Sequence, residues 1–397
     1  MESFINTLGK IDGFIWGPPL VFLLFGTGLY LTIGMRFMSI RRLPYAIKLL
    51  LGGDKENAPK SEGEISPIAA LFTALSATIG TGNIAGVATA IALGGPGAVF
   101  WMWMTAVVGM ATKYSEALLA VRFRETDEKG QHVGGPMYYI KNGMGKNWIW
   151  LAWAFAICTA IAAPGTGNLI QSNSVAALFN QNMGIPVWVS GLTMAVLVFF
   201  VIMGGVKSIA RVASFLVPIM AIFYVGGALV VLSFNFEFIP GAFAQIFNGV
   251  VSPTAAAGGF LGASVMAAMA QGANRGSFSN EAGLGSAAIA HASARTNDPV
   301  RQGTIAMLGT FIDTLIVCTL TALVILTAPS ILAANGIALP VWQSGIASAA
   351  AITSAAFGES IPGGEWIVTI GLAVFAFTTI LGWALYGERS MEFMFGV

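Results

Sequence analysis

The stretch Ser76-Ala77-Thr78-Ile79-Gly80-Thr81-Gly82-Asn83 places glycine and polar residues in the middle of an apolar run. A second stretch of this kind reads Gln271-Gly272-Ala273-Asn274-Arg275-Gly276-Ser277-Phe278-Ser279-Asn280-Glu281. Lipid cannot satisfy the backbone groups that a helix break exposes, so a membrane helix is broken only where protein or a cavity surrounds the break. Two glycine-broken helices in corresponding places of two oppositely oriented halves are typical of secondary transporters. The two stretches therefore predict an all-α polytopic membrane protein with an inverted repeat.

The composition and the apolar runs support a membrane location. Hydrophobic residues make up 56% of the chain and charged residues only 9%, against about a quarter in soluble domains. Apolar runs near the length of a membrane span, about 20 residues, lie at 16–34, 67–93, 97–121, 148–180, 186–204, 212–234, 254–292, 302–328 and 365–386. We expect a multi-pass protein of the cytoplasmic membrane, with the segment 329–364 on the outer side of the membrane and with helix-forming stretches of its own.

The Lys and Arg residues predict the orientation, because cytoplasmic loops are enriched in them. The connectors on one side hold only Lys10 of the chain's 19 such residues. The connectors on the other side hold most of them: Arg36, Arg41, Arg42, Lys48, Lys55, Lys60, Arg122, Arg124, Lys129, Lys141, Lys146, Lys207, Arg211, Arg295, Arg301 and Arg389. We therefore expect the N-terminus outside the cell, and residues 35–66 and the C-terminal end in the cytoplasm.

Several function classes are disfavoured by the same sequence. The net charge of +1 provides no basic surface for nucleic acid. Cys158 and Cys318 lie in apolar runs without disulfide or metal spacing. Neither His132 nor His291 has an obvious nucleophile within a span, so we do not expect an enzyme.

The first break can bind both charges of an amino acid. Beyond the break, the free N–H groups of Gly80, Thr81, Gly82 and Asn83 form a helix N-terminus, which attracts a carboxylate. Before the break, the carbonyl groups of 76–78 form a helix C-terminus, which suits Na⁺ or an ammonium group. The same glycine spacing would also suit close packing of two helices.

Four motifs resemble the alanine/glycine:cation symporter family. They are Thr78-Ile79-Gly80-Thr81-Gly82-Asn83-Ile84-Ala85-Gly86 with Gly94-Gly95-Pro96-Gly97; Gly134-Gly135-Pro136-Met137-Tyr138-Tyr139; Arg275-Gly276-Ser277-Phe278-Ser279-Asn280-Glu281-Ala282-Gly283-Leu284-Gly285-Ser286; and Leu381-Gly382-Trp383-Ala384-Leu385-Tyr386-Gly387-Glu388. The resemblance covers nearly the whole chain. It implies the fold of the leucine-type transporters with one extra helix at the N-terminus, which matches 16–34. The last two helices of that fold are missing before Val397, and we expect a shortened copy of the protein.

The resemblance places the substrate site at the two breaks. It implies contacts from Thr78, Gly80, Thr81, Gly82 and Asn83 at the first break, and from Gly272, Arg275, Gly276 and Ser277 at the second. Asn168 is polar in an otherwise apolar helix and binds either the substrate or another helix. Trp383 either closes the pocket or belongs to the aromatic belt at the membrane interface.

The resemblance also implies a sodium site between the first break and the last span. The carbonyl groups of Ser76 and Ile79 would bind the ion together with the hydroxyl groups of Thr378 and Thr379. The alternative is that the two threonines bond carbonyl groups of their own helix.

Ionisable residues within spans are costly and often functional. Lys113 and Glu116 are three residues apart and can pair on one helix face. Arg275 either neutralises Glu281 or Asp313, which holds the broken segment in shape, or faces the substrate carboxylate.

The sequence thus predicts one transmembrane domain, 1–397. It consists of an N-terminal helix and cytoplasmic loop (1–66), a first repeat (67–235) and an incomplete second repeat (236–397). The expected function is sodium-coupled import of alanine or glycine by a monomer through alternating access, with Na⁺ as the co-transported ion. A transporter coupled to protons through Glu281 or Asp313 is the first alternative. A channel is a weaker one.

Overall fold

A computed structural model describes residues 15–52, 63–251, 261–329 and 349–397, together with Thr7 and Gly13. Within these ranges the regular structure is helical apart from one two-stranded antiparallel hairpin, formed by β1 (Glu125–Thr126) and β2 (His132–Val133). The prediction of an all-α protein is confirmed.

The helices before the hairpin include the first broken helix. In chain order they are α1 (Pro18–Gly34), α2 (Met38–Arg41), α3 (Leu43–Leu51), α4 (Pro67–Thr78), a π-helical turn (Gly82–Gly86) that continues into α5 (Val87–Gly94), and α6 (Gly97–Arg122).

After the hairpin, α7 (Pro136–Tyr139) leads into short π-helical and 3₁₀ turns (Ile140–Met144 and Lys146–Trp148). One long helix follows, made of α8 (Ile149–Ala162), a π-helical stretch (Ala163–Leu169) and α9 (Ile170–Met183). Next come α10 (Val187–Ile202), α11 (Gly205–Phe234), a 3₁₀ turn (Phe236–Phe238) and α12 (Ile239–Val251).

The remaining helices include the second broken helix. They are α13 (Leu261–Asn280), α14 (Ser286–Ala292), α15 (Pro299–Thr310) with a π-helical stretch (Phe311–Cys318) and α16 (Thr319–Leu326), α17 (Ala349–Ser360) and α18 (Glu365–Phe395). Each predicted span thus coincides with helix, while residues 254–260 of the seventh span and residues 330–348 lie outside the described ranges.

Four described helices are long and apolar enough to cross a membrane, and the bent pair Pro67–Thr78 and Gly82–Gly94 adds a fifth. The four are Lys146–Met183, Gly205–Phe234, Pro299–Leu326 and Glu365–Phe395. Large apolar side chains such as Phe199, Phe200 and Ile222 point outward and are more than half exposed. A bilayer would cover these surfaces, so the protein is an integral membrane protein.

The interior is built around α6, which packs most extensively against α13 and α15. A Cβ atom on Gly272 would lie 2.3 Å from the carbonyl oxygen of Ala98, and one on Gly276 would lie 2.3 Å from Oγ1 of Thr105. These two glycines therefore let the backbones of α6 and α13 approach closely.

The position of the second break corrects the sequence prediction. The helix α13 continues through all four predicted residues, Gly272, Arg275, Gly276 and Ser277. The two glycines among them permit close packing against α6 and do not interrupt the helix. The chain leaves the helix only after Asn280, in the segment 281–285.

Candidate functional site

The first break lies between α4 and the π-helical turn, and the two parts of the broken helix meet at 55°. The helix α4 ends at Thr78 because Ile79 is extended (φ −76°, ψ 100°). Two amide side chains satisfy N–H groups of the break. Oδ1 of Asn83 accepts from the N–H of Gly80 at 3.0 Å, and Oε1 of Gln171 accepts from the N–H of Thr81 at 3.1 Å.

Asn83 also ties the first break to a buried carboxylate. Its Nδ2 donates to Oδ1 of Asp313 at 2.7 Å, and Ser279 and Thr314 donate to Oδ2 at 2.8 and 2.7 Å. Asn83 is fully buried and does not line the cavity described below. The structure therefore differs from the expectation that Asn83 contacts substrate, since both ends of its amide already bind protein.

The second break, residues 281–285, has a different partner. Glu281, Gly283 and Gly285 adopt positive φ angles of 55°, 92° and 76°. Oε1 of Glu116, on α6, accepts from the N–H of Gly283 at 2.9 Å and from that of Gly285 at 3.0 Å. A buried carboxylate thus occupies the position where these N–H groups would bind an anion.

Lys113 is the cation that acts on the carboxylates around this break. It is 2% exposed, and its Nζ atom makes no hydrogen bond to any described residue. Its charge acts on Glu116, Glu281 and Asp313. Lys113 therefore compensates part of the charge of Glu281 and Asp313, and the expected role of Arg275 toward these two groups stays a prediction. The predicted pairing of Lys113 with Glu116 is electrostatic rather than a hydrogen bond.

A cavity of about 290 Å³ lies between the two breaks and the helices α8 and α18. Its volume is at the lower end of the range for small-molecule sites, roughly 300–1,000 Å³. Its walls are mostly apolar, and Glu281 is the ionisable carboxylate among the described residues that line it. The lining residues are Trp16, Ala77, Thr78, Gly82, Phe155, Cys158, Thr159, Ala162, Thr166, Gln171, Phe278, Glu281, Leu284, Ser286 and Trp383.

Three predicted substrate residues, Thr78, Gly82 and Trp383, line this cavity. Gly80 and Thr81 lie behind Gln171, which contacts both of them. Thus the structure brings the first break and Trp383 together at one cavity.

Asn168 is exposed and does not line the cavity, so the structure does not support its predicted contact with substrate. The π-helical stretch 163–169 widens the turn, which brings Thr166 and Gln171, five residues apart, to the same face. Gln171 is not among the site residues that the sequence predicted. The signal was present in Pro164 and Gly165, which interrupt the helix just before it.

Of the four predicted sodium residues, the structure brings two together and leaves two bonded within their own helices. The hydroxyl of Thr379 donates to the carbonyl oxygen of Ile79 at 3.2 Å, across 300 positions of the chain. The hydroxyl of Thr378 instead bonds the carbonyl of Phe375 on its own helix at 3.0 Å. Ser76 is fully buried on α4, and its hydroxyl bonds the carbonyl of Thr73.

The start of the first broken helix and the end of the second are held together by hydrogen bonds, which we call the clamp. Backbone hydrogen bonds join Ile65, just before α4, to the segment 293–295 that follows α14. The guanidinium of Arg124 donates to the carbonyl oxygens of Ala292, Ala294 and Thr296 at 3.1, 2.7 and 2.9 Å. By the predicted orientation this clamp lies on the cytoplasmic side.

Known proteins resemble this chain along its whole length. A model of the sodium:alanine symporter family matches residues 1–397. The sodium/alanine symporter AgcS of Methanococcus maripaludis is 46% identical over 99% of this chain and 84% of that protein. The "Probable sodium/glutamine symporter GlnT" of Bacillus subtilis is 37% identical over 98% of this chain and 77% of that protein.

Among solved structures, that of MhsT in complex with L-phenylalanine superposes with a TM-score of 0.54. It covers 84% of this chain and 78% of that chain, at 16% sequence identity. This likeness shows a common fold, the leucine-transporter fold that the sequence predicted.

Proposed function

Because this chain belongs to the sodium:alanine symporter family, we propose that it imports alanine or glycine together with Na⁺ across the cytoplasmic membrane. The observation that carries the proposal is the contact between Thr379 and Ile79 at the first break. It sets a hydroxyl and a carbonyl oxygen side by side in the membrane interior, which is the donor chemistry that Na⁺ requires.

The substrate carboxylate fits the first break rather than the second. At the second break Glu116 already supplies a negative charge to the exposed N–H groups. The partners at the first break, Asn83 and Gln171, are neutral amides, so the positive end of the following helix remains uncompensated. Gln171 lines the cavity, and its Nε2 atom, which donates to the carbonyl oxygen of Thr166 at 3.5 Å, can exchange that long hydrogen bond for one to a carboxylate.

The cavity favours an uncharged side chain. Phe155, Phe278, Leu284 and Trp383 line it with bulky apolar groups, which offer no partner to a second charge on the ligand. The relative GlnT is described as a probable sodium/glutamine symporter, so membership of the family does not by itself fix the substrate. We assign this chain to alanine or glycine because the cavity walls are apolar and because AgcS, 46% identical to this chain, is a sodium/alanine symporter.

Transport by alternating access requires the clamp at Arg124 to open toward the cytoplasm while the outer side closes. In this proposal the transporter is a monomer whose N-terminus lies outside the cell. Na⁺ bound at Thr379 and Ile79 orders the broken backbone that the substrate also contacts, which couples the two ligands.

Proton coupling is the second candidate, and the observation that favours it is the position of Glu281 in the cavity wall. Asp313 suits a carrier less well, because three side chains already donate hydrogen bonds to it. Uptake that is independent of Na⁺ and depends on pH would establish this candidate in place of sodium coupling.

The test is equilibrium binding of labelled alanine to the purified protein in Na⁺ and in K⁺. We expect binding in Na⁺ only, and a loss of about tenfold in sodium affinity in Thr379→Ala, since one oxygen ligand is removed. The control is Thr193→Ala, whose exposed hydroxyl bonds its own helix and should leave binding unchanged.

Cys158 provides an independent readout, because it is exposed and lines the cavity whereas Cys318 is buried. Alanine should slow the reaction of Cys158 with a maleimide in Na⁺ but not in K⁺. Equal binding in the two salts would contradict sodium coupling, and no binding of alanine or glycine in either would contradict the substrate assignment.

A further inference from the structure

We infer that Glu281 binds the ammonium group of the substrate and so makes the site selective for amino acids over other small carboxylates. The inference rests on the proposed function and adds the recognition of the second charge of the zwitterion. Its basis is the position of Glu281 in the cavity wall opposite the first break.

The backbone holds Glu281 in an unusual conformation. Its φ angle is +55°, a left-handed region that residues other than glycine seldom occupy. Such conformations are energetically costly and cluster at functional sites. Here the turn at Glu281 ends α13 and starts the second break, which brings the residue to the wall of the cavity.

One carboxylate oxygen of Glu281 is engaged and the other is free. The hydroxyl of Ser286 donates to Oε2 at 2.5 Å, whereas Oε1 makes no hydrogen bond to any described residue. The residue as a whole is only 2% exposed, and it lines the cavity. A buried carboxylate in this condition gains strongly from a charged donor.

The surrounding charges keep the attraction between Glu281 and the substrate ammonium weak enough for the substrate to dissociate. Lys113 acts on Glu281 from α6, the nearby carboxylates are Glu116 and Asp313, and Tyr386 lies near the group on α18. Lys113 balances part of the negative charge, so the substrate ammonium meets a carboxylate that is already partly neutralised. This lets the ligand leave again, as transport requires.

The two charges of the substrate would then bind on opposite sides of the cavity. The carboxylate of the substrate lies at the first break, near Gln171 and Gly82, and the ammonium points across the cavity to Glu281. The second break cannot bind the carboxylate, because Glu116 occupies its N–H groups.

The experiment compares alanine with lactate, which carries a hydroxyl in place of the ammonium group. Both compete against labelled alanine on the purified full chain in saturating Na⁺. We expect the wild type to prefer alanine strongly. In Glu281→Gln alanine should bind about tenfold or more weaker while lactate is unchanged, so that the affinity ratio collapses.

Asp313→Asn is the matched control, because this buried carboxylate does not line the cavity. Damage to the fold would weaken both ligands equally and leave the ratio as in the wild type. Glu281→Asp provides a second variant, and the shorter side chain should lower the ratio several-fold.

An unchanged ratio in Glu281→Gln or in Glu281→Asp would overturn the inference. If the ratio is unchanged in Glu281→Gln and alanine binding loses its dependence on pH, the inference is also overturned, and Glu281 is assigned to proton coupling. Failure of the wild type to bind alanine in Na⁺ would instead contradict the proposed function, and the inference with it.

Discussion

The two breaks expose the same backbone groups in the membrane interior, yet they satisfy them with different chemistry. At the first break the partners are the neutral amides of Asn83 and Gln171. At the second break the partner is the carboxylate of Glu116, with Lys113 close by. Neutral partners are weak enough to be exchanged for a ligand, whereas a buried charge is costly to leave unpaired. The first break is therefore suited to binding and the second to structural support.

The largest effect is expected from Glu116→Ala. It leaves the N–H groups of Gly283 and Gly285 without an acceptor and removes one of the carboxylates that compensate the buried charge of Lys113. We expect a loss of about 3–5 kcal/mol in the free energy of unfolding, seen as a lower midpoint of thermal unfolding in detergent. Ser115→Ala is the control, since that hydroxyl bonds its own helix. A midpoint equal to that of the wild type would show that the second break does not depend on Glu116.

The next effect is expected from Gly80→Ala at the first break. The added Cβ would lie 2.6 Å from Oγ1 of Thr379 and 3.0 Å from Oε1 of Gln171. Overpacking of about 1–3 kcal/mol should lower sodium-dependent alanine affinity about tenfold to hundredfold. Gly86→Ala, in the same broken helix, has its nearest atom at 3.8 Å and should bind normally. Equal affinities for the two variants would contradict the placement of the site.

A smaller effect is expected from Gln171→Ala. The N–H of Thr81 loses a neutral acceptor and the ligand loses a contact, so alanine affinity should fall about tenfold. Thermal stability should fall much less than in Glu116→Ala, and this contrast tests the comparison directly. Ser172→Ala, the neighbouring position, is the control because its hydroxyl bonds the carbonyl of Asn168. A large drop in stability without a change in affinity would reverse the roles of the two breaks.

The smallest effect is expected from Thr378→Ala. Its hydroxyl bonds the carbonyl of Phe375 on its own helix, so its loss should change the half-saturating Na⁺ concentration less than about threefold. Thr379→Ala, measured alongside, should change it more. A comparable change in the half-saturating Na⁺ concentration of both variants would indicate that Thr378 also binds Na⁺ at the first break.

How far the site could be predicted differs between the two breaks. At the first break the glycine and polar positions correctly predicted the interruption, because no continuous apolar helix accounts for 76–83. At the second break the same reasoning placed the interruption too early. Gly272 and Gly276 serve close packing against α6, and a glycine that permits packing looks the same in sequence as one that permits a turn.

The amino-acid sequence by itself determined the helical membrane class, the positions of the apolar helices and the likeness to sodium:alanine symporters. These properties depend on composition, on the length of apolar runs and on local motifs. Only the tertiary structure decided that Gln171 rather than Asn168 lines the cavity, that Thr379 meets Ile79, and that Glu116 supports the second break. Those pairings join residues 90, 300 and 167 positions apart. Local preferences carry no information about such contacts, which depend on how the helices pack.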